Sequence, residues 1–139
     1  MNYLAILISA IVAIESNGDP TARGDDNLAY GILQIHSAYA QDASEYAKQN
    51  WTHEDAFNPT IANKMFVAYM ARYATEKRLG RNPTAEDIAR IHNGGLYGYK
   101  RSATDPYWNK VKAELIRRGA DDLANGRIAF DFSTPLEYN

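Results

Sequence analysis

The chain has 139 residues, 45% of them hydrophobic and 23% charged, with a net charge of −2 and no cysteine. That is the size and composition of one globular domain with a proper core, and it leaves no room for a second. The charge gives no basic footprint for nucleic acid, and the lack of cysteine removes disulfides, thiolate nucleophiles and thiolate metal sites.

Residues 4–14 are apolar except for Ser9, which predicts a helix that is hydrophobic on nearly all sides and buried at the centre of the domain. Asn17-Gly18 tolerates positive φ just past a helix end and Asp19-Pro20 cannot continue the helix, so Glu15 falls in the last turn. Apolar surroundings and the negative end of the helix dipole both disfavour a charged carboxylate there. The expectation is a raised pKa and a carboxyl able to act as a general acid. Taken alone, a Glu at a helix end is more often a solvated surface residue. A secretory signal is the rival reading of the run, but there is no Lys or Arg in its first residues and no convincing small-residue cleavage site before Glu15. It is also short of the ~20 residues of a membrane span.

Residues 19–29 are rich in Gly, Asp, Asn, Pro and Thr and read as a loop carrying Asp25 and Asp26. Residues 30–35 form a short apolar piece containing Gln34; a buried Gln needs partners, so it is either a structural plug or part of a polar site. Residues 37–50 are helix-like, and Thr52 with Asp55 forms a capping box. Asn58-Pro59 launches the longest helix, expected over 60–79 and stopped by Gly80, with Met65, Phe66, Tyr69, Met70 and Tyr73 as its core stripe. Thr84 and Asp87 cap a short helix that ends at His92-Asn93-Gly94-Gly95. Asp105 as N-cap and Pro106 at the first helical position begin a helix through Arg118, stopped by Gly119. From Ala120 the signals are mixed, and residues 127–132 make a short strand or wrap the domain. The sum is a mainly α single domain over 1–139 with little or no β-structure. His36, His53 and His92 lack metal-ligand spacing, and neither a metal nor an organic cofactor is implied. Ten tyrosines and two tryptophans exceed the needs of a small core, and amphipathic rings commonly line carbohydrate clefts.

Four motifs in order tie these pieces together: Glu15-Ser16 with Gly18; Gly31-Ile32-Leu33-Gln34-Ile35; Ile91-His92-Asn93-Gly94-Gly95; and Tyr107-Trp108 with Val111. In order and spacing the chain resembles the lysozyme-like catalytic domain of soluble lytic transglycosylases and goose-type lysozyme, with the motifs inside about residues 3–118 and a tail over 120–139. The resemblance implies a lysozyme-like fold and an enzyme that cuts the β-1,4 bond between N-acetylmuramic acid and N-acetylglucosamine in peptidoglycan. It makes Glu15 the catalytic acid and has Tyr107 approach and position it. Ser16, Tyr30, Gln34, Ile35, His92, Asn93 and Gly94 would line the cleft with Tyr107, His92 standing where that family has Tyr.

Two reaction types remain open under this resemblance. Lytic transglycosylases need one carboxylate, because the muramic acid C6 hydroxyl attacks the anomeric carbon and leaves a 1,6-anhydro sugar. Goose-type lysozymes carry a Gly-Asp ahead of the glutamine motif, matched here by Gly24-Asp25, which makes Asp25 a candidate second carboxylate with Asp26 as its competitor. A noncatalytic wall-binding module of the same fold, or a glycosidase of chitin, are the alternatives. The expected partner is a peptidoglycan strand, with no nucleic acid and no stable membrane insertion, and the protein is expected to be a monomer. The expected place of action is the bacterial wall or periplasm. Without an evident signal peptide, that is consistent with a phage-encoded or virion-associated protein.

Overall fold

The computed structural model describes residues 1–134. Helix α1 (Tyr3–Glu15) starts where the Asn2 side chain accepts from the Ala5 amide at 3.0 Å, satisfying one of the free donors of the first turn. Its chain then makes a small antiparallel hairpin, β1 (Arg23–Gly24) with β2 (Ala29–Tyr30), in the register Arg23↔Tyr30 and Gly24↔Ala29. The hairpin lies within the expected loop. Asp25, Asp26 and Asn27 turn it with φ of 53°, 56° and 67°, a left-handed run that Asp and Asn tolerate better than other side chains.

Helix α2 (Ser37–Ala47) ends on Lys48 in the left-handed conformation. A 3₁₀ turn (His53–Phe57) follows with the expected Thr52/Asp55 capping box. Helix α3 (Pro59–Tyr73) begins as predicted, with the Asn58 side chain accepting from the amides of Thr60 and Ile61 at 2.9 and 3.2 Å. The expected helix over 60–79 is interrupted, however. Ala74 leaves helical geometry (φ −99°, ψ 65°), and the Thr75 hydroxyl accepts from the Arg78 amide at 3.2 Å to start a separate one-turn helix, α4 (Glu76–Leu79). A threonine that caps the following turn competes with helix continuation.

Helix α5 (Ala85–Gly94) carries the second expected capping box, Thr84/Asp87. Two 3₁₀ turns (Gly98–Lys100 and Ser102–Thr104) lead into α6 (Asp105–Arg117). Its N-cap is Thr104, one residue before the expected Asp105, whose carboxylate instead pairs with Arg90 at 2.9 Å. Gly119 stops α6 at φ 77°. A short helix that the sequence did not announce, α7 (Asp121–Ala124), follows. The tail then wraps rather than forming a named strand: Ala129 bridges Thr84 and the Phe130 amide donates to the Pro83 carbonyl at 2.8 Å. The last part of the expected tail, 135–139, lies outside the described residues.

The largest set of buried side chains belongs to α3, where Met65, Phe66 and Met70 are fully enclosed and Tyr69 nearly so. Helix α1 contributes Leu7, Ala10 and Ile11 in full, and Tyr3, Leu4, Ile6, Ile8, Val12 and Ile14 are partly buried against the same core, but Ala5 and Ser9 are exposed, so the helix is less enclosed than its all-round apolar sequence predicts. Each fully enclosed side chain of this size is worth roughly 1.5–3 kcal/mol. Among the described residues the architecture is therefore mainly helical around one core, with a single two-stranded hairpin. No helix among them is long and apolar enough to cross a membrane.

Candidate active site

Helix α1 delivers Glu15 in its final turn, and the next residue fixes that end. The Ser16 hydroxyl donates to the Ile32 carbonyl at 2.8 Å and accepts from the Gly18 amide at 3.1 Å. Ser16 thus rivets the helix end to the segment of residues 31–36.

That segment is itself tightly held. Gly31 has φ 77°, and a Cβ there would sit 2.2 Å from the Ala56 carbonyl oxygen, so only glycine fits. The Gln34 amide donates to the Gly31 and Ala22 carbonyls at 2.9 and 3.2 Å, and its Oε1 occupies the space a Gly24 side chain would need, 2.3 Å from an ideal Cβ. Of the two readings of Gln34, this is the structural plug. Ile35 is fully buried, exchanges both backbone hydrogen bonds with Tyr30 at 3.0 Å, and accepts from the His53 ring at 2.7 Å. Tyr30 stacks on His53 at 3.7 Å and on Phe57 at 4.4 Å, under the Arg23 guanidinium at 4.9 Å.

Glu15 retains 18% side-chain exposure, and two side chains close on one of its oxygens. The Tyr107 hydroxyl from α6 donates to Oε2 at 3.0 Å, and His92 Nε2 from α5 lies 3.4 Å from the same atom. His92 Nε2 also lies 2.9 Å from the Leu33 carbonyl, which can only accept, so that nitrogen carries hydrogen. In the neutral ring Nδ1 is then the acceptor, and the Tyr39 hydroxyl, 2.9 Å away, is its donor. Burial pushes both phenols well above their ordinary range, reinforced for Tyr107 by the charge of Glu15 and its hydrogen bond. For Tyr39, the neighbouring Tyr69 and Glu15 add to the effect of burial. Tyr39 and Tyr107 therefore stay protonated as donors at any physiological pH.

Among the described residues no partner approaches Glu15 Oε1. With Oε2 accepting from Tyr107, Oε1 is the oxygen left to carry a proton. The structure brings Glu15, His92 and Tyr107 together at one carboxylate oxygen, and it departs from the expectation at His92 and Ile35. His92 was expected to touch sugar; its side chain is 2% exposed and lies beneath Glu15. Ile35, also expected at the cleft, is sealed in the core. Asn93 remains exposed beside the unit, and Gly94 packs so closely that a Cβ would be 2.5 Å from the Thr104 methyl.

Asp25 stands in the hairpin turn with its carboxylate 3.0 Å from His36 Nε2. Residues 31–36 connect this pair to Glu15, because Leu33 carries the carbonyl that holds His92 and His36 comes three residues later. Leu33 and His36 are three residues apart, a span of at most about 11 Å, and the His36 and Asp25 side chains of the pair are 48% and 66% exposed. Asp26 has no hydrogen bond or ion pair among the described residues. The sequence reading missed Tyr39, the Leu33 carbonyl and His36. All three act through contacts across the fold that residue type and spacing do not announce. Among the described residues no group of three His, Asp or Glu side chains could hold a metal.

A family model described as Destabilase matches residues 6–114. "Lysozyme 1" of Crassostrea virginica is 38% identical over 84 residues, 60% of this chain and 44% of that protein, so the match spans less than half of that relative's length. "Invertebrate-type lysozyme 6" of Caenorhabditis elegans is 30% identical over 113 residues, covering 76% of this chain and 82% of the relative. Among solved structures, the lysozyme of Tapes japonica superposes with a TM-score of 0.65 at 29% identity, over 77% of this chain and 86% of that one.

Proposed function

The chain belongs to the Destabilase family, and from that premise we propose that it is a muramidase which hydrolyses the β-1,4 bond between N-acetylmuramic acid and N-acetylglucosamine in peptidoglycan. The observation that carries this reading is the asymmetric dressing of Glu15: Oε2 accepts from the Tyr107 hydroxyl with His92 packed against it, and Oε1 has no hydrogen bond among the described residues. A carboxyl so held is oriented for proton donation before substrate arrives, which is what a general acid on a rigid support requires. In the proposed step the proton on Oε1 passes to the glycosidic oxygen as its bond to the anomeric carbon breaks. In this reading Asp25 stabilises the positive charge developing at that carbon, water supplies the hydroxyl that replaces the leaving sugar, and the proton that the water loses returns to the Glu15 carboxylate. Asn93, exposed beside the acid, is suited to hold an N-acetyl group.

The finer resemblance to lytic transglycosylases and goose-type lysozyme is separable from this. The relatives named above are lysozymes of a mollusc and a nematode, which supports hydrolysis and lends nothing to a phage-encoded or virion-associated origin. Digestion of purified cell-wall glycan followed by mass spectrometry decides between the routes. Reducing-end muropeptides are expected; 1,6-anhydro products, lighter by one water, would instead establish transglycosylation. Glu15→Gln should lower turnover at least ~100-fold, the low end of what a positioned acid supplies. A fully active Glu15→Gln protein would sink the proposal, and an Asp25→Asn variant of normal rate would remove the second carboxylate from it.

A further inference from the structure

Helix α5 runs from the buried His92 out to an exposed cluster of cations. After Gly95, at φ 84°, the 3₁₀ turn Gly98–Lys100 folds back so closely that a Cβ on Gly98 would lie 2.0 Å from the Arg90 carbonyl oxygen. The Gly98 amide donates to the Gly95 carbonyl at 2.7 Å. Arg78 of α4 clamps the turn from the other side, donating to the Leu96 and Tyr73 carbonyls at 3.0 and 2.5 Å. The loop is therefore a fixed platform, and it presents Tyr97 with 44% of its surface exposed.

Three cations gather on that one ring. Lys100 Nζ lies 5.0 Å from its centroid, and the Arg78 and Arg101 guanidinium carbons lie 5.5 and 5.6 Å away. Elsewhere Arg72, Arg81, Arg90, Arg117, Arg118 and Arg127 each face a carboxylate, and Arg23 lies by itself over the Tyr30 and Phe57 rings. Lys100, Arg101 and Arg78 face none among the described residues. In a chain of net charge −2, a local group of uncompensated cations is not a by-product of overall basicity. The ring quadrupole attracts each cation only weakly at an exposed site, and the three repel one another. An anion seated among them relieves that repulsion.

We propose that Lys100 and Arg101, displayed on Tyr97, bind the free carboxylates of the peptide stems carried by the glycan strand. This inference rests on the reading of the substrate as peptidoglycan given above. Stem peptides project from the muramic acid residues and end in carboxylates, whereas chitin offers none, so the cluster discriminates between the two polymers. Its position supports this. The platform continues directly from Asn93 and Gly94, and Gly95 lies beside the Tyr69 hydroxyl, 3.9 Å from an ideal Cβ. Tyr69 stacks at 3.8 Å on Tyr39, the partner of His92 beneath Glu15. A strand lying over Glu15 and Asn93 thus brings its stems towards the cations.

The test uses Glu15→Gln protein, so that cleavage does not interfere, and measures binding to purified sacculi from which phosphate polymers have been removed by acid. Half of the preparation is treated with an amidase to strip the stems. The Lys100→Glu/Arg101→Glu double variant should bind stem-bearing glycan at least tenfold more weakly and with a flatter salt dependence. Its affinity for stem-free glycan should move by less than twofold, with the melting temperature unchanged. Equal losses on both glycans, or no loss on the stem-bearing form, would overturn the proposal. A loss seen only on sacculi that keep their phosphate polymers would overturn it too, in favour of a phosphate ligand. If the Glu15→Gln protein binds neither glycan, the peptidoglycan reading falls and this inference with it.

Discussion

At the scale of single residues, the site works by giving the two oxygens of one carboxyl different jobs. The Tyr107 hydroxyl donates to Glu15 Oε2, while His92 is held against the same oxygen by the Leu33 carbonyl, which takes its Nε2 hydrogen, and by the Tyr39 hydroxyl at Nδ1. Removing one donor should therefore impair orientation more than binding. Tyr107→Phe, which keeps the ring and deletes only the hydroxyl, should lower kcat about tenfold with KM nearly unchanged, at a stability cost near 1 kcal/mol. An increase in KM at constant kcat would show that Tyr107 touches substrate rather than positioning the acid. Glu15 was legible in the sequence because an apolar run ends on it beside Asn17-Gly18, a pattern that local chemistry dictates. The role of His92 was not legible. Its neighbours in sequence say that it lies near a helix end, but which way the ring faces depends on how residues 31–36 pack beneath it.

At the scale of elements, the strap of residues 31–36 organises the site, and its geometry depends on Gly31. An alanine there would meet two obstacles together: a left-handed φ of 77° and a Cβ 2.2 Å from the Ala56 carbonyl oxygen, a backbone atom that no side-chain rotation can clear. Gly31→Ala should therefore destabilise the protein by about 2 kcal/mol or more in chemical denaturation and depress activity in the part that remains folded. A variant of normal stability and rate would mean that the strap is not rigid. Element starts were the most legible feature of the sequence, because a cap is local chemistry. The boxes at Thr52/Asp55 and Thr84/Asp87 and the Asn58-Pro59 start all formed as expected. Element ends were harder. The apolar period of α3 runs on past Ala74, and only the competing cap at Thr75 breaks it. Helix α7 has just one turn and carries too little periodicity to be read at all.

At the scale of the whole molecule, the aromatic residues that a carbohydrate cleft would have claimed are largely structural. Tyr39, Tyr69 and Tyr73 form a continuous series, with ring centroids 3.8 and 4.8 Å apart, between α2 and α3. This sets the response to alkali. Burial pushes the Tyr69 phenol up to about 12, helped by Tyr73 and Asp42, and it raises Tyr39 and Tyr107 in the same direction. Their unfolded values lie near 10. Below that pH both states hold these protons and stability is flat. Above it the unfolded chain releases protons that the native fold retains, so each buried phenol erodes stability by up to about 1.4 kcal/mol per pH unit until its folded value is passed. Against a typical total of ~5–15 kcal/mol, three such groups should unfold the protein cooperatively above pH 10. The part of the phenolate absorbance due to these buried rings should then appear in step with the loss of far-ultraviolet circular dichroism. Tyr39→Phe should lose some stability at neutral pH, through the missing hydrogen bond to His92, yet decline less steeply above pH 10. Full ionisation of the tyrosines near pH 10 with an unchanged dichroism spectrum would show that these rings are not held in the core, and the support beneath Glu15 would have to be sought elsewhere.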